Sequence, residues 1–89
     1  MTQLPTITIL PAEGCRRSQA VLTYLEANEI PYERIDLATE QGQEMAERYE
    51  IRSSPGIIVD GEMVSPFDLL IQPACRVDEA AARRIFRTE

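Results

Sequence analysis

Thr6-Ile7-Thr8-Ile9-Leu10-Pro11-Ala12-Glu13-Gly14-Cys15-Arg16-Arg17-Ser18 is the stretch that decides the fold of this chain. Thr6 to Leu10 is a short β-branched run closed by Pro11, and reads as a strand. Cys15 to Asn28 then sets Val21, Leu22 and Leu25 on one side, with Ser18 and Tyr24 near that face, which is helical periodicity. Pro31 stops the helix from continuing. Tyr32 to Leu37 alternates as a second strand, so the opening is a βαβ unit, whose strands lie parallel across a right-handed crossover.

Beyond that unit, Thr39 to Tyr49 is polar with Met45, Ala46 and Tyr49 on one side, a solvated amphipathic helix whose first turn Gly42 weakens. Ile57 to Val59 reads as a buried strand. Asp60-Gly61 is a hairpin signal, and Met63-Val64 follows as the partner strand. Pro66 to Ile71 reads as a helical turn interrupted by Pro73. Asp78 caps a last helix that turns Ala81, Ala82, Ile85 and Phe86 to the core. The order β-α-β-α-β-β-α predicts an α/β fold: a four-stranded mixed sheet flanked by helices, in one domain over residues 1–89.

Composition narrows the chemistry. The 89 residues carry 9 basic and 15 acidic side chains, a net charge of −6, which disfavours nucleic acid as a partner. All the basic residues are Arg. Without Lys or His, the chain offers no Schiff-base lysine, histidine base or histidine ligand. Two cysteines are too few for a closed four-ligand zinc site or a disulfide-stapled mini-protein, so no metal site is expected. Met1 to Leu10 has neither a basic residue nor a long apolar run. The expectation is therefore no signal peptide, no membrane partner and a cytoplasmic address.

Cys15 falls where the first loop enters the first helix, where free N–H groups and the helix dipole favour an anion. A dipole contribution of up to ~2 kcal/mol brings a thiol from about 8.5 toward about 7. Arg16 and Arg17 add positive charge beside it, against the sign of the whole molecule. Ser18, three residues on, is placed to hydrogen-bond the sulfur. The plainer alternatives are a small residue filling the strand–helix corner, two solvated arginines and a surface serine. Arg52-Ser53-Ser54-Pro55-Gly56 precedes the third strand, and a proline there lacks the N–H that would pair. A cis bond would turn the preceding backbone toward an extended substrate, yet only about 5–6% of X–Pro bonds are cis, so a trans loop proline is the plain reading. Asp68, in Ser65-Pro66-Phe67-Asp68, either caps a short helix or holds the amino group of a ligand.

In order and spacing these pieces resemble the glutaredoxins, within the thioredoxin fold, from Thr6 into the last helix. The elements that carry the likeness are Thr6 to Leu10, Gly14 to Ser18, Ile30-Pro31-Tyr32, Ile35-Asp36-Leu37, Tyr49 to Pro55, Val59-Asp60-Gly61 and Ser65 to Asp68. The resemblance implies thiol–disulfide exchange with Cys15 as nucleophile and Pro55 as a cis-proline. It also implies Ser54 pairing through its backbone with glutathione and Asp68 near the γ-glutamyl amine. Arg16, Arg17 or Arg52 would supply positive charge for a carboxylate. Glutathione is the implied co-substrate with no tightly bound cofactor, the implied protein partners are disulfide-containing or glutathionylated, and a monomer is the default state.

The sequence departs from the family at four places. Cys-x-x-Cys becomes Cys15-x-x-Ser18, a monothiol arrangement. Arg16-Arg17 stands where the cluster-binding monothiol branch has Gly-Phe. Ala12 stands where many members have lysine, and Ser65-Pro66 replaces a Gly-Gly pair. The leading expectation is a glutathione-linked oxidoreductase using one nucleophilic cysteine, with Cys75 structural or incidental. The alternatives are a redox-inactive protein-binding module, a glutathione-bridged iron–sulfur carrier, and the thioredoxin-like half of a glutathione transferase.

Overall fold

A central sheet in the order β2-β1-β3-β4 organises the molecule in this computed structural model, which describes residues 5–71 and 76–87. Strand β1 (Ile7–Leu10) pairs in parallel with β2 (Glu33–Arg34) and antiparallel with β3 (Gly56–Val59). Strand β4 (Glu62–Val64) closes the other edge through the Asp60-Gly61 hairpin. Asp60 and Gly61 have φ of 50° and 82°, the left-handed pair that a two-residue turn needs to follow the strand twist.

Alternation along β1 and β3 divides the core between the two faces of the sheet. Ile7, Ile9, Ile57 and Val59 face helix α1 (Arg16–Ala27), α3 (Pro66–Leu69) and the end of α4 (Glu79–Ile85), packing with Val21, Leu25, Leu69 and Phe86. Leu10 and Ile58 face the other way, with Ile35, and take Met45, Tyr49 and Ile51 from the α2 side. Helix α2 spans Glu40–Arg48. All four residues of β3 are buried, as expected for a strand covered on both faces. Phe86 is fully buried and stacks with Tyr24 at 6.5 Å between ring centroids.

The caps follow the sequence. Thr39 Oγ1 accepts from Gly42 N at 3.0 Å, and Asp78 Oδ1 accepts from Ala80 N and Ala81 N. Gly42 is buried, and a Cβ there would run into the Asp36 carbonyl oxygen. The glycine expected to weaken α2 is therefore the residue that lets it pack.

Two elements differ from expectation. The second strand is two residues long rather than the whole of Tyr32 to Leu37. The parallel contact still continues, through Ile35 N to Ile9 O at 3.0 Å and Leu37 N to Pro11 O at 3.1 Å. The turn expected over Pro66 to Ile71 stops at Leu69. Leu70 is extended, with φ −112° and ψ 146°, and β5 (Leu70–Ile71) pairs antiparallel with β6 (Arg76–Val77). Two-residue strands show no periodicity, so sequence alone does not mark them. Pro73 and Cys75 lie outside the described residues.

Candidate active site

Three segments meet around Cys15 and its neighbour but one, Arg17. Gly14 has φ 73°, a conformation glycine adopts without a side-chain penalty, and Cys15 N donates back to Ala12 O at 3.3 Å. This tight turn delivers Cys15 as the N-cap of α1, extended at φ −89° and ψ 120°. Cys15 thus stands at the position where a Ser, Thr or Asp usually caps a helix, although its sulfur makes no capping hydrogen bond. The second segment is the loop before β3, where the Ser54–Pro55 peptide bond is cis and Pro55 is buried. Its Ser54 Oγ donates to Cys15 Sγ at 3.0 Å, and Ser54 O lies 4.0 Å from the same sulfur. The start of α3 is the third. Ser65 Oγ caps it by accepting from Phe67 N at 3.2 Å.

Arg17 ties the three together. Its Nε donates to Ser54 O at 2.9 Å, and its guanidinium carbon sits 5.5 Å from the centroid of the Phe67 ring, in cation–π contact. Arg16, the next residue round the helix, points elsewhere. It is exposed and shares a groove on the side of α1 with Tyr24, Arg76 and Val77. Ser18 is 2% exposed, and its Oγ accepts from Ala12 N at 3.1 Å, which pins the turn that carries Cys15. Asp68 is exposed in the first turn of α3. The cap there is Ser65, so the simple capping role considered for Asp68 is not the one it plays.

The Cys15 thiol is lowered from 9.0 to about 7. Burial alone pushes it up. Burial is the largest single influence, but it is outweighed by the hydrogen bonds together: the Ser54 hydroxyl first, then the Ser18 hydroxyl and the backbone N–H groups of Ser18 and Arg17. The sequence reading put a near-neutral thiol down to the helix start, with Arg16 and Arg17 adding charge; in the structure hydrogen bonds lower it, the first of them from Ser54, and the arginine charges are not among the causes. The helix-terminal N–H groups contribute as expected, after the two hydroxyls.

Beside the cis-proline runs a groove of about 210 Å³, walled by Ile51, Arg52, Pro55, Met63, Val64 and Ser65 among others. Arg52 is exposed on its rim and has no ion pair among the described residues. No group of three His, Cys, Asp or Glu side chains suited to a metal occurs among the described residues. Nor is any helix there long and apolar enough to cross a membrane.

Of the residues singled out in the sequence, the structure brings Cys15, Arg17, Ser18, Ser54 and Pro55 together, while Arg16 faces another groove and Asp68 lies exposed on α3. Sequence reasoning missed the Ser54 hydroxyl, having weighed only that residue's backbone, and it missed Phe67 as the platform under Arg17. The available signal was a hydroxyl residue directly before the loop proline and an aromatic just past the last hairpin.

A strand–loop–helix thiol facing a cis-proline loop on a four-stranded mixed sheet defines a thioredoxin-like fold, and solved structures agree. A mutant of the thioredoxin-like protein BC3987 is 19% identical, with 94% of this chain and 97% of that chain covered at a TM-score of 0.67. A second structure of BC3987 is 24% identical over 67% of this chain and 85% of that one, at 0.59. Actin interacting protein 5 is 22% identical over 73% and 77%, at 0.52. No curated protein matches. The family model for glutaredoxin matches residues 6–64, more than half of the chain, and the chain belongs to the glutaredoxin family. Family and fold together make this a protein of thiol-redox type.

Proposed function

We propose that this chain is a monothiol glutaredoxin: a glutathione-linked thiol–disulfide oxidoreductase in which Cys15 is the sole exchanging cysteine. The observation that carries the reading is the Cys15 sulfur itself, with a thiol of about 7, hydrogen-bonded by Ser54 at 3.0 Å next to a cis-proline groove. About half of it is thiolate at neutral pH, enough to attack without the loss of nucleophilicity that a very low value brings.

The Cys15 thiolate attacks the glutathione sulfur of a glutathionylated protein. The Cys15–glutathione disulfide forms, and the protein leaves as a thiolate that takes a proton from water. Ser18 has no thiol with which to break that disulfide, so a second glutathione does so as its thiolate. Oxidised glutathione leaves and the Cys15 thiolate returns. Glutathione is the reductant and the protein disulfide the oxidant, so the electrons balance.

For binding, Ser54 and Pro55 offer the cis-proline edge, and Asp68 the amine-facing carboxylate. Arg52 is the carboxylate partner in place of the lysine absent at Ala12. Arg17 contributes positive charge beside the thiol, partly committed to Ser54 O, while Arg16, which faces the neighbouring groove, takes no part in binding at the thiol. A monomer working in the reducing cytoplasm is consistent with this chemistry.

The test is steady-state turnover of a glutathionylated peptide with varied glutathione. Parallel double-reciprocal lines, abolished by Cys15→Ser, are the expected result for exchange through a covalent intermediate. Turnover that survives Cys15→Ser would contradict it.

A further inference from the structure

Ser54 occupies an unusual position: its hydroxyl touches the reacting sulfur and its own carbonyl is anchored from the opposite side. Oγ donates to Cys15 Sγ at 3.0 Å, while Arg17 Nε holds Ser54 O at 2.9 Å and packs against Phe67. Pro55, buried, fixes the chain just beyond. The hydroxyl is thus held on the sulfur by three neighbours. The Ser54 carbonyl oxygen, 4.0 Å from Sγ, would disfavour an anion there, and the Arg17 bond draws off part of its negative charge.

We propose that Ser54 is a catalytic residue whose hydroxyl serves mainly the release of Cys15 from its mixed disulfide, with Arg17 as the positioning residue that holds it there. The inference rests on the reading of Cys15 as the exchanging nucleophile.

Charge on Cys15 Sγ moves in opposite directions in the two half-reactions. In the attack, Cys15 begins as a thiolate and gives its electron pair to the new S–S bond. The Ser54 hydrogen bond is strongest at the start and weakens toward the transition state, so it restrains this step. In the release, Cys15 begins as a neutral disulfide sulfur. The incoming glutathione thiolate forms a bond to the glutathione sulfur, the bond to Sγ breaks, and the electron pair returns to Sγ. The hydrogen bond then strengthens as charge develops, and an interaction stronger in the transition state than in the ground state is one that accelerates. Release is also the step with no internal help, because position 18 carries a hydroxyl and not a thiol.

The decisive experiment separates the half-reactions in the full chain at about pH 10, above the ordinary thiol range. Stopped-flow measurement gives the rate of Cys15 attack on oxidised glutathione, and then the rate at which reduced glutathione frees the isolated mixed disulfide. Ser54→Ala should attack about threefold faster for each pKa step gained by Cys15. It should be released several-fold more slowly. Opposite signs in the two steps are the signature, since a merely loosened site would slow both. Ser54→Thr keeps the hydroxyl and should track wild type, while Ser54→Val, of the same shape without it, should track Ser54→Ala. That pair decides the matter even if the alanine variant folds poorly. Equal rates for Thr and Val, or changes of the same sign in both steps, would overturn the role of Ser54 and leave Cys15 chemistry standing. A wild-type chain that forms no mixed disulfide at Cys15 would instead overturn the parent reading and this one with it.

Discussion

The behaviour of Cys15 follows from what surrounds one sulfur atom. With its thiol at about 7, alkylation rate against pH should show a midpoint near that value, and Ser54→Ala should move the midpoint upward. The same depression makes folding depend on pH. The folded thiol releases its proton near 7 and the unfolded one near 9.0, so between these values the unfolded state holds more protons. Stability therefore rises with pH across that window, is fully present above it, and is lost as pH falls through 7. Thermal melts should show wild type gaining on Cys15→Ser between the two values, and a constant difference would contradict this. Ser18 acts beside it. Ser18→Ala leaves the Ala12 N–H without its acceptor, at a cost of about 1–3 kcal/mol, readable as a lower Tm together with an upward shift of the thiol midpoint. The place of Cys15 at the helix start, and the N–H groups that favour a thiolate there, were legible because helix-start chemistry is local. The Ser54 hydroxyl was not, because it comes from 39 residues away, in the loop that enters the neighbouring strand.

Among the elements, those with a strong local code were readable and those made by tertiary contact were not. Asp60-Gly61 specifies its own turn, and Asp78 and Thr39 specify their own helix starts. Gly42 shows the opposite. Propensity alone predicts that alanine would strengthen α2 by about 1 kcal/mol. The Asp36 carbonyl lies where the new methyl would go, and backbone cannot yield as a flexible side chain can. Gly42→Ala should therefore lose about 1–3 kcal/mol in chemical denaturation, as overpacked sites do. A gain in stability would show that the loop from Asp36 to Thr39 moves freely. The β5–β6 pair was missed for a related reason: four residues in two strands are defined by their pairing and carry no pattern of their own.

At the scale of the whole molecule, the sheet divides structure from chemistry. The two-sided core is built by the alternation of Ile7, Ile9, Ile57 and Val59 against Leu10 and Ile58, of which the sequence reading had only the apolar runs. What alternation cannot show is that the β1–α1 turn, the cis-proline loop and the start of α3 converge, with Arg17 bridging them. Phe86 anchors the last helix beneath the same face of the sheet. Phe86→Ala should cost about 3–5 kcal/mol, a large share of the 5–15 kcal/mol typical of a domain, and calorimetry should show a much lower or absent transition.

The most direct measurement is intact mass after incubation with oxidised glutathione at neutral pH, with wild type beside Cys15→Ser. A single glutathione adduct mapped to Cys15, removed by reduced glutathione and absent from the variant, is the predicted result. No adduct, an adduct only on Cys75, or an internal Cys15–Cys75 disulfide would contradict a single-cysteine, glutathione-resolved exchange.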